Sequence, residues 1–210
     1  MIHEVLPVGP LQCNCSIWGD EETREAVVVD PGDDIRRIRA ILSRHGLAVK
    51  WIVITHAHAD HIGGANRLRS LTGAPVYMHP ADHELLPHLA LQAAWLGMRD
   101  PGAVDIDTAL AEGDTLGPAG ASLTVLHTPG HTLGSVSLLS SEERKLLAGD
   151  TLFRGSIGRT DLPGGDYRKI LGSIKTKLLC LDDDIAVTCG HGLPTTLGRE
   201  REQNYFLRNL

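Results

Sequence analysis

One segment constrains this chain more than any other: a run of metal-ligand side chains directly after a strand-like stretch. The sequence reads WIVIT over residues 51–55 and continues at once with HAHADHIGG. In α/β proteins the carboxyl ends of strands are where functional sites are held. The segment therefore predicts a strand that delivers several ligands to one site.

The spacing within this segment divides the ligands into two pairs. His56 and His58 are two positions apart, so in an extended segment both imidazoles project to one side and can chelate one ion. Asp60 and His61 are adjacent at a predicted turn into a helix, where they can face a second ion. The glycines at 63–64 then let the backbone pass close by without Cβ atoms. The pattern predicts two neighbouring metal ions.

Three further ligand-type residues complete the set. His131 lies in a Pro-Gly turn between two strand-like runs, Asp150 follows the apolar run in LLAGD, and His191 follows the run in VTCGHG. A carboxylate at position 150 can bridge two cations with its two oxygens. Each residue alone is a weak signal, but together they predict a two-metal site. Because the ligands are nitrogen and oxygen with no thiolate, two Zn²⁺ per chain are favoured, with Fe or Mn as alternatives.

Length and composition limit the remaining possibilities. With 210 residues we expect one domain over 1–210, and with 42% apolar and 22% charged residues a soluble one. There is no run of about 18 apolar residues and no basic segment followed by an apolar core, so we predict no membrane span and a cytoplasmic protein. The formal net charge of -6 argues against nucleic acid as a partner. The sequence indicates no oligomeric state.

Strand-like runs outnumber helical ones, and the two alternate along the chain. Such a pattern favours two mixed sheets packed on each other with helices on the outer faces, an αββα sandwich, although another mixed α/β topology would give similar periodicity. The predicted strands span residues 15–18, 26–29, 51–55, 76–78, 123–127, 135–139, 145–148 and 185–188. The predicted helices run from Asp33 or Asp34 to Gly46, from Asp60 or His61 to 71, and over 80–96, 167–179 and 199–207.

The ordered motifs THAHADH, PGHTLGS, AGDTLF and CGHG resemble those of the metallo-β-lactamase superfamily, and within it the glyoxalase II-like hydrolases. The resemblance implies the four-layer αββα fold of that family. It also implies which residues hold which ion: His56, His58 and His131 the first, Asp60, His61 and His191 the second, with Asp150 bridging the two. Asp30, in VVVDPG, matches the family's early aspartate, which would orient a ligand imidazole. A simple turn residue is the alternative for Asp30.

The segment LFRGSIGRTDLPGGDY resembles the short bacterial hydroxyacylglutathione hydrolases. By that resemblance Arg159 would bind a glutathione carboxylate through its guanidinium fork, and a solvated loop arginine is the alternative. Longer glyoxalase II enzymes add a C-terminal helical domain and carry a tyrosine after the last motif histidine, where this sequence has Gly192-Leu193. We therefore expect a glutathione site that is incomplete or built differently.

The segment 85–98, with Leu89, Trp95 and Leu96, is open to two interpretations. It can form an apolar lid over the site or pack as an ordinary core helix. Sequence periodicity does not separate the two.

The resemblance implies hydrolysis of a small-molecule thioester, such as S-lactoylglutathione, by a metal-bound hydroxide. Asp60 would hold or accept the proton. One rival is a persulfide dioxygenase, a family that shares the GRTD segment and binds a single Fe(II) at positions matching His56, His131 and Asp150. Lactone or phosphodiester cleavage by the same site, and a non-catalytic metal-binding module, are the remaining alternatives.

Overall fold

The first half of the chain forms one mixed sheet. The computed structural model describes residues 1–208 and 210. In the first sheet the strands lie in chain order: β1 (Ile2–Val8), β2 (Cys13–Gly19), β3 (Glu25–Val29), β4 (Ala48–Ile54), β5 (Val76–Met78) and β6 (Thr108–Ala109). The first three strands are antiparallel, and β3 to β6 run parallel. The residues that follow β3 and β4 therefore meet at one edge.

The second half forms another six-stranded sheet. Its strands are β7 (Thr115–Leu116), β8 (Leu123–His127), β9 (Val136–Ser140), β10 (Lys145–Leu147), β13 (Ala186–Thr188) and β14 (Thr195–Thr196), in the order β14-β13-β10-β9-β8-β7. A small hairpin, β11 (Leu152–Phe153) and β12 (Ser156–Ile157), follows β10. Because β10 and β13 are parallel, the segments after them also reach a common edge.

Within the described residues, six α-helices accompany the sheets: α1 (Ile35–His45), α2 (Ala59–Ile62), α3 (Ala65–Thr72), α4 (Leu89–Trp95), α5 (Tyr167–Ser173) and α6 (Leu197–Gln203). The apolar face of α1, with Ile38, packs with strands of the first sheet, and Ile170 of α5 packs with the second. Among the helices that the structure describes, none is long and apolar enough to cross a membrane.

Side-chain alternation along the strands divides the apolar residues between the layers. Val27 and Val29 of β3 and Val53 of β4 belong to the core between the two sheets, together with Leu123 of β8. Val28 lies on the opposite face, in the cluster that the outer helices cover. This period of two explains why the strands read as continuous apolar runs: both faces are buried. The predicted αββα sandwich is confirmed.

Several element boundaries differ from the prediction. The helix expected from residue 60 or 61 to 71 is two helices, α2 and α3, separated at Gly63 and Gly64. A Cβ on Gly64 would overlap the Pro31 carbonyl oxygen, so only glycine fits there. The segment Pro80–His88, which contains Pro87, is 3₁₀-helical, and only α4 after it is α-helical. Strand β1 was not predicted, because His3, Glu4 and Pro7 interrupt its apolar pattern.

The C-terminal parts of two other predicted helices also change type. The helix expected over 167–179 continues after α5 as a π-helical turn, Ile174–Leu178. The helix expected over 199–207 ends at α6, and Tyr205–Leu207 forms a separate 3₁₀ turn.

Helix α1 begins and ends where the sequence predicts. Asp34 occupies the N-cap position, but its side chain makes no capping hydrogen bond; Oδ2 accepts from the Gly9 amide at 3.1 Å instead. Gly46 ends the helix with φ of 62°, in the left-handed region that glycine adopts without strain.

Candidate metal centre

Loops that follow β4, β8, β10 and β13 bring all seven predicted ligands to one place. His56, His58 and His131 form a first trio, whose ligand atoms lie within 4.8 Å of one another. Within it His58 Nδ1 is 3.0 Å from His131 Nε2. Side chains that are 73 residues apart along the chain thus face each other across one small space.

A second trio lies beside the first. His61 Nε2 and His191 Nε2 are 3.2 Å apart, and Asp60 Oδ2 is 3.1 Å from His191 Nε2. His61 is fully buried and His191 only partly, so this trio opens towards the pocket on the His191 side.

Asp150 lies between the two trios. Its Oδ1 is 3.4 Å from His61 Nε2, and its Oδ2 is 3.6 Å from His131 Nε2. A Cβ on Gly190 would overlap Asp150 Oδ1, which explains why the residue before His191 is a glycine. The carboxylate therefore has one oxygen directed to each group.

The donor atoms fit a pair of divalent cations. His56 Nε2 and Asp150 Oδ1 are the two buried side-chain polar atoms without a hydrogen-bond partner in the described part of the chain. A buried polar atom left unpaired is costly, so both atoms point to a ligand that is not protein. Nitrogens bound tetrahedrally to zinc at about 2.0–2.1 Å lie roughly 3.3 Å apart. The separations of 3.0 and 3.2 Å in the two trios are close to that value.

Four of the five imidazoles are fixed through their other nitrogen. The partners of Nδ1 are the Thr55 hydroxyl for His56, Asp30 for His61, the Arg159 carbonyl for His131 and the Leu11 carbonyl for His191, at 2.8–3.1 Å. The two carbonyls can only accept, so the His131 and His191 rings donate from Nδ1 and leave the Nε2 lone pair free. These contacts fix the orientation of each ring and direct its Nε2 at the site.

Burial also keeps two members of the first trio, His56 and His58, neutral. It lowers the pKa of His58 to about 3, with a further contribution from the neighbouring His131 ring. Burial lowers the pKa of His56 well below its usual value as well. Both side chains are therefore unprotonated at neutral pH, which is the form that binds metal.

Asp30 occupies a strained backbone position behind the second trio. Its φ of 52° is unusual for a residue with a Cβ. One oxygen accepts from the Thr55 amide at 2.7 Å, and the other from the Thr55 hydroxyl at 2.7 Å and His61 Nδ1 at 2.9 Å. The predicted partner of a ligand imidazole thus lies within hydrogen-bond distance of one.

Arg159 lies at the pocket in an unexpected way. Its guanidinium makes a two-point ion pair with Asp161, at 2.8 and 2.7 Å, and the side chain is 60% exposed. Its backbone carbonyl, not its side chain, contacts the trio through His131. The structure therefore brings the predicted substrate contact to the site with its charge already engaged.

A cavity of about 430 Å³ leads from the solvent to the ligands. Helix α4 forms part of its wall and has two faces: Leu89 is 1% exposed and packs in the core, whereas Leu91 is 52% and Trp95 77% exposed at the cavity. Gln92 Oε1 accepts a hydrogen bond from the Ala59 amide at 3.0 Å, tying the helix to the ligand segment. The segment 85–98 therefore packs in the core through one side and lines the opening of the cavity with the other.

Two positioning groups escaped the sequence prediction. Thr55 carries a signal, since it is a polar residue between an apolar strand and the first ligand. Leu11 acts through its backbone carbonyl, so nothing in its side chain could have indicated the role.

Comparison with known proteins places this arrangement in a family. Residues 8–191 match the family model described as Metallo-beta-lactamase superfamily. The chain is 39% identical to the "Hydroxyacylglutathione hydrolase GloC" of Haemophilus influenzae, over 98% of both chains. It is 38% identical to the "Probable metallo-hydrolase YqgX" of Bacillus subtilis, over 96% of this chain and 95% of that one.

Solved structures agree with these relatives. The BLEG-1 B3 metallo-beta-lactamase superposes with a TM-score of 0.90 at 38% identity, over 98% of this chain and 99% of the other. TTHA1623 in a di-iron-bound form gives 0.88 at 38% identity, over 97% and 100%. ETHE1 from Myxococcus xanthus gives 0.82 at 28% identity, over 98% and 84%.

Proposed function

The chain belongs to the metallo-beta-lactamase superfamily, and from this membership we propose that it is a two-metal hydrolase of thioesters such as S-lactoylglutathione. The observation that carries the proposal is the pair of buried, unpartnered donors, His56 Nε2 and Asp150 Oδ1, set among five further ligand side chains. His56, His58 and His131 would hold one ion and Asp60, His61 and His191 the other, with Asp150 between them.

Bound divalent cations would supply Lewis acidity and lower the pKa of a water molecule towards neutrality. The chain's own part is to hold five imidazoles in place and to provide two carboxylates. Zinc suits this donor set, and iron does as well, consistent with the iron in the TTHA1623 structure.

Asp60 is the residue we assign to proton handling. Its Oδ2 lies 3.1 Å from His191 Nε2 at the open side of the second trio. A carboxylate there can accept a proton as an acyl carbon is attacked. Because a thiolate is a good leaving group, no further acid is needed for the C–S bond to break.

The cavity supports a small acyl thioester as substrate. Its volume of about 430 Å³ is in the range of small-molecule sites, and its walls are largely apolar. The GloC relative is named for a glutathione thioester. Arg159 lines the cavity and would bind a glutathione carboxylate by exchanging its Asp161 partner for it. We further propose that 1–210 is one domain and that the protein is cytoplasmic, where its four free cysteines would stay reduced.

The test is release of free thiol by the protein loaded with zinc or with iron. The panel contains S-lactoylglutathione, an acetyl thioester of glutathione and acyl thioesters of coenzyme A. We expect turnover of at least the glutathione 2-hydroxyacyl thioester, lost on chelation and restored by metal. Inactivity on every thioester with two metals bound would contradict the proposal.

A second candidate is a persulfide dioxygenase, favoured by the likeness to ETHE1. His56, His131 and Asp150 supply the two histidines and one carboxylate that such an iron site uses. One iron per chain, with oxygen uptake on glutathione persulfide, would establish it. Two metals per chain without uptake would exclude it.

A further inference from the structure

A second buried carboxylate, Asp82, joins two of the ligand segments. It belongs to the 3₁₀ segment Pro80–His88 and is 0% exposed. Its Oδ2 accepts hydrogen bonds from the Ala57 amide at 2.9 Å and the Thr132 hydroxyl at 2.8 Å, and its Oδ1 accepts from the Gly134 amide at 2.6 Å. Nothing in the sequence pattern had marked this residue.

Two of these donors lie directly beside predicted metal ligands. Ala57 lies between His56 and His58, and Thr132 directly follows His131. One side chain is therefore bonded to both segments that supply the first trio. The Thr132 hydroxyl is itself fixed, 2.8 Å from the Ser135 hydroxyl.

Only a carboxylate satisfies this arrangement. The three donors include two backbone amides, one directed to each oxygen, so an amide side chain would turn its NH₂ group towards an N–H. The packing is equally restrictive, because a Cβ on Gly134 would lie 2.7 Å from Asp82 Cγ. The glycine of HTLGS is thus required by the approach of this carboxylate.

We propose that Asp82 is a positioning residue for the first metal site, one that sets the separation between the His56/His58 segment and His131. It has a counterpart in Asp30, which bonds to Thr55 and to His61 of the second trio. Charge-assisted hydrogen bonds of this kind are short and directional, so they hold a loop more firmly than neutral ones. The inference rests on the proposed metal site.

The experiment measures Zn²⁺ affinity by competition with a chromophoric chelator, not activity. The parent is the double variant Asp60→Ala/His191→Ala, which leaves the first trio intact. Adding Asp82→Asn should raise the Zn²⁺ dissociation constant about 10- to 100-fold, the range typical of residues that orient ligands. Thr132→Val, which removes one donor only, should raise it roughly 2- to 10-fold.

Glu200→Gln is the matched control. Glu200 is also 0% exposed and also accepts from an amide, a hydroxyl and a third donor: Gly155 at 2.7 Å, Thr195 at 2.6 Å and Asn204 at 2.8 Å. None of these three adjoins a predicted ligand. This variant should lower the melting temperature of the metal-free protein as Asp82→Asn does, yet leave the Zn²⁺ dissociation constant within about threefold of the parent.

Three outcomes are decisive. Dissociation constants for Asp82→Asn no larger than those for Glu200→Gln would overturn the positioning role. If Asp82→Asn does not fold, an unchanged affinity in Thr132→Val would overturn it as well. If the wild-type chain binds no zinc or iron at all, the metal site itself fails, and this inference with it.

Discussion

The floor of the cavity, formed by the seven predicted ligands and the groups bonded to them, differs from its rim, the exposed side chains at the opening, in how firmly the side chains are held. At the floor the ligand side chains are held from behind: four imidazoles are fixed through Nδ1, and Asp30 and Asp82 each accept three hydrogen bonds. At the rim, Leu11, Leu91 and Trp95 are 47%, 52% and 77% exposed. The difference indicates that the chemistry is preorganised, whereas the choice of substrate depends on loosely constrained side chains.

Removing a floor ligand should have the largest effect. Asp150→Asn leaves the space filled but removes the charge shared by the two trios. We expect kcat to fall about 10³-fold, equivalent to roughly 4 kcal/mol of transition-state stabilisation. Thioester turnover and metal content are measured together, and the exposed Asp161→Asn serves as control with kcat within about threefold. A small loss in Asp150→Asn with both metals retained would mean that the carboxylate does not bridge.

Replacing a residue that orients a ligand imidazole should reduce metal affinity and activity less than replacing a ligand. Asp30→Asn keeps one acceptor oxygen for Thr55 but weakens the hydrogen bond to His61, whose Nδ1 lies 2.9 Å from Asp30 Oδ2 in the wild-type chain. The affinity for the second metal equivalent should fall about 10- to 100-fold, measured by chelator competition. Asp20→Asn, in a turn remote from the ligands, is the control. If the two variants bind the second metal equivalent with equal affinity, Asp30 stabilises only its own turn and does not orient His61.

Helix α4 allows a buried residue and an exposed residue at the cavity to be compared within one element. Trp95→Ala removes an exposed apolar surface at the cavity, so we expect KM for an apolar acyl thioester to rise about fivefold, or roughly 1 kcal/mol. The free energy of unfolding should change by less than about 0.5 kcal/mol. Leu89→Ala, on the buried face, should instead cost about 2–5 kcal/mol in urea unfolding. If Trp95→Ala leaves KM unchanged, this side of the rim does not contact substrate.

The sequence predicts the floor better than the rim for a physical reason. Ligand spacing in residues 56–61 is local and directly follows a strand, so the residues that come together could be named from the sequence. The alternation of strand-like and helical runs, with the family motifs, indicated the αββα layers. Asp82 and the Leu11 carbonyl act across long stretches of chain, and no local pattern marks them. The requirement for glycine at position 64 likewise comes from its close approach to the Pro31 carbonyl oxygen, a contact between segments that are distant along the chain.

Arg159 should show the smallest effect, because its charge is already used. The guanidinium pairs with Asp161 and is 60% exposed, a setting in which an ion pair contributes about 0–1 kcal/mol. We expect Arg159→Ala to raise KM for a glutathione thioester no more than about threefold. The carbonyl that holds His131 belongs to the backbone and remains, so kcat should be nearly unchanged.

The size of that KM change separates two pictures of the rim. A threefold effect, equal for glutathione and coenzyme A thioesters, would mean that Arg159 mainly secures its own loop through Asp161. A rise of tenfold or more, confined to glutathione thioesters, would mean that substrate displaces Asp161 and takes the guanidinium. Asp161→Asn then supplies the opposite change: with the arginine released, KM for the glutathione thioester should fall. Only in that case does the rim hold a carboxylate site that is closed by its own ion pair before substrate binds.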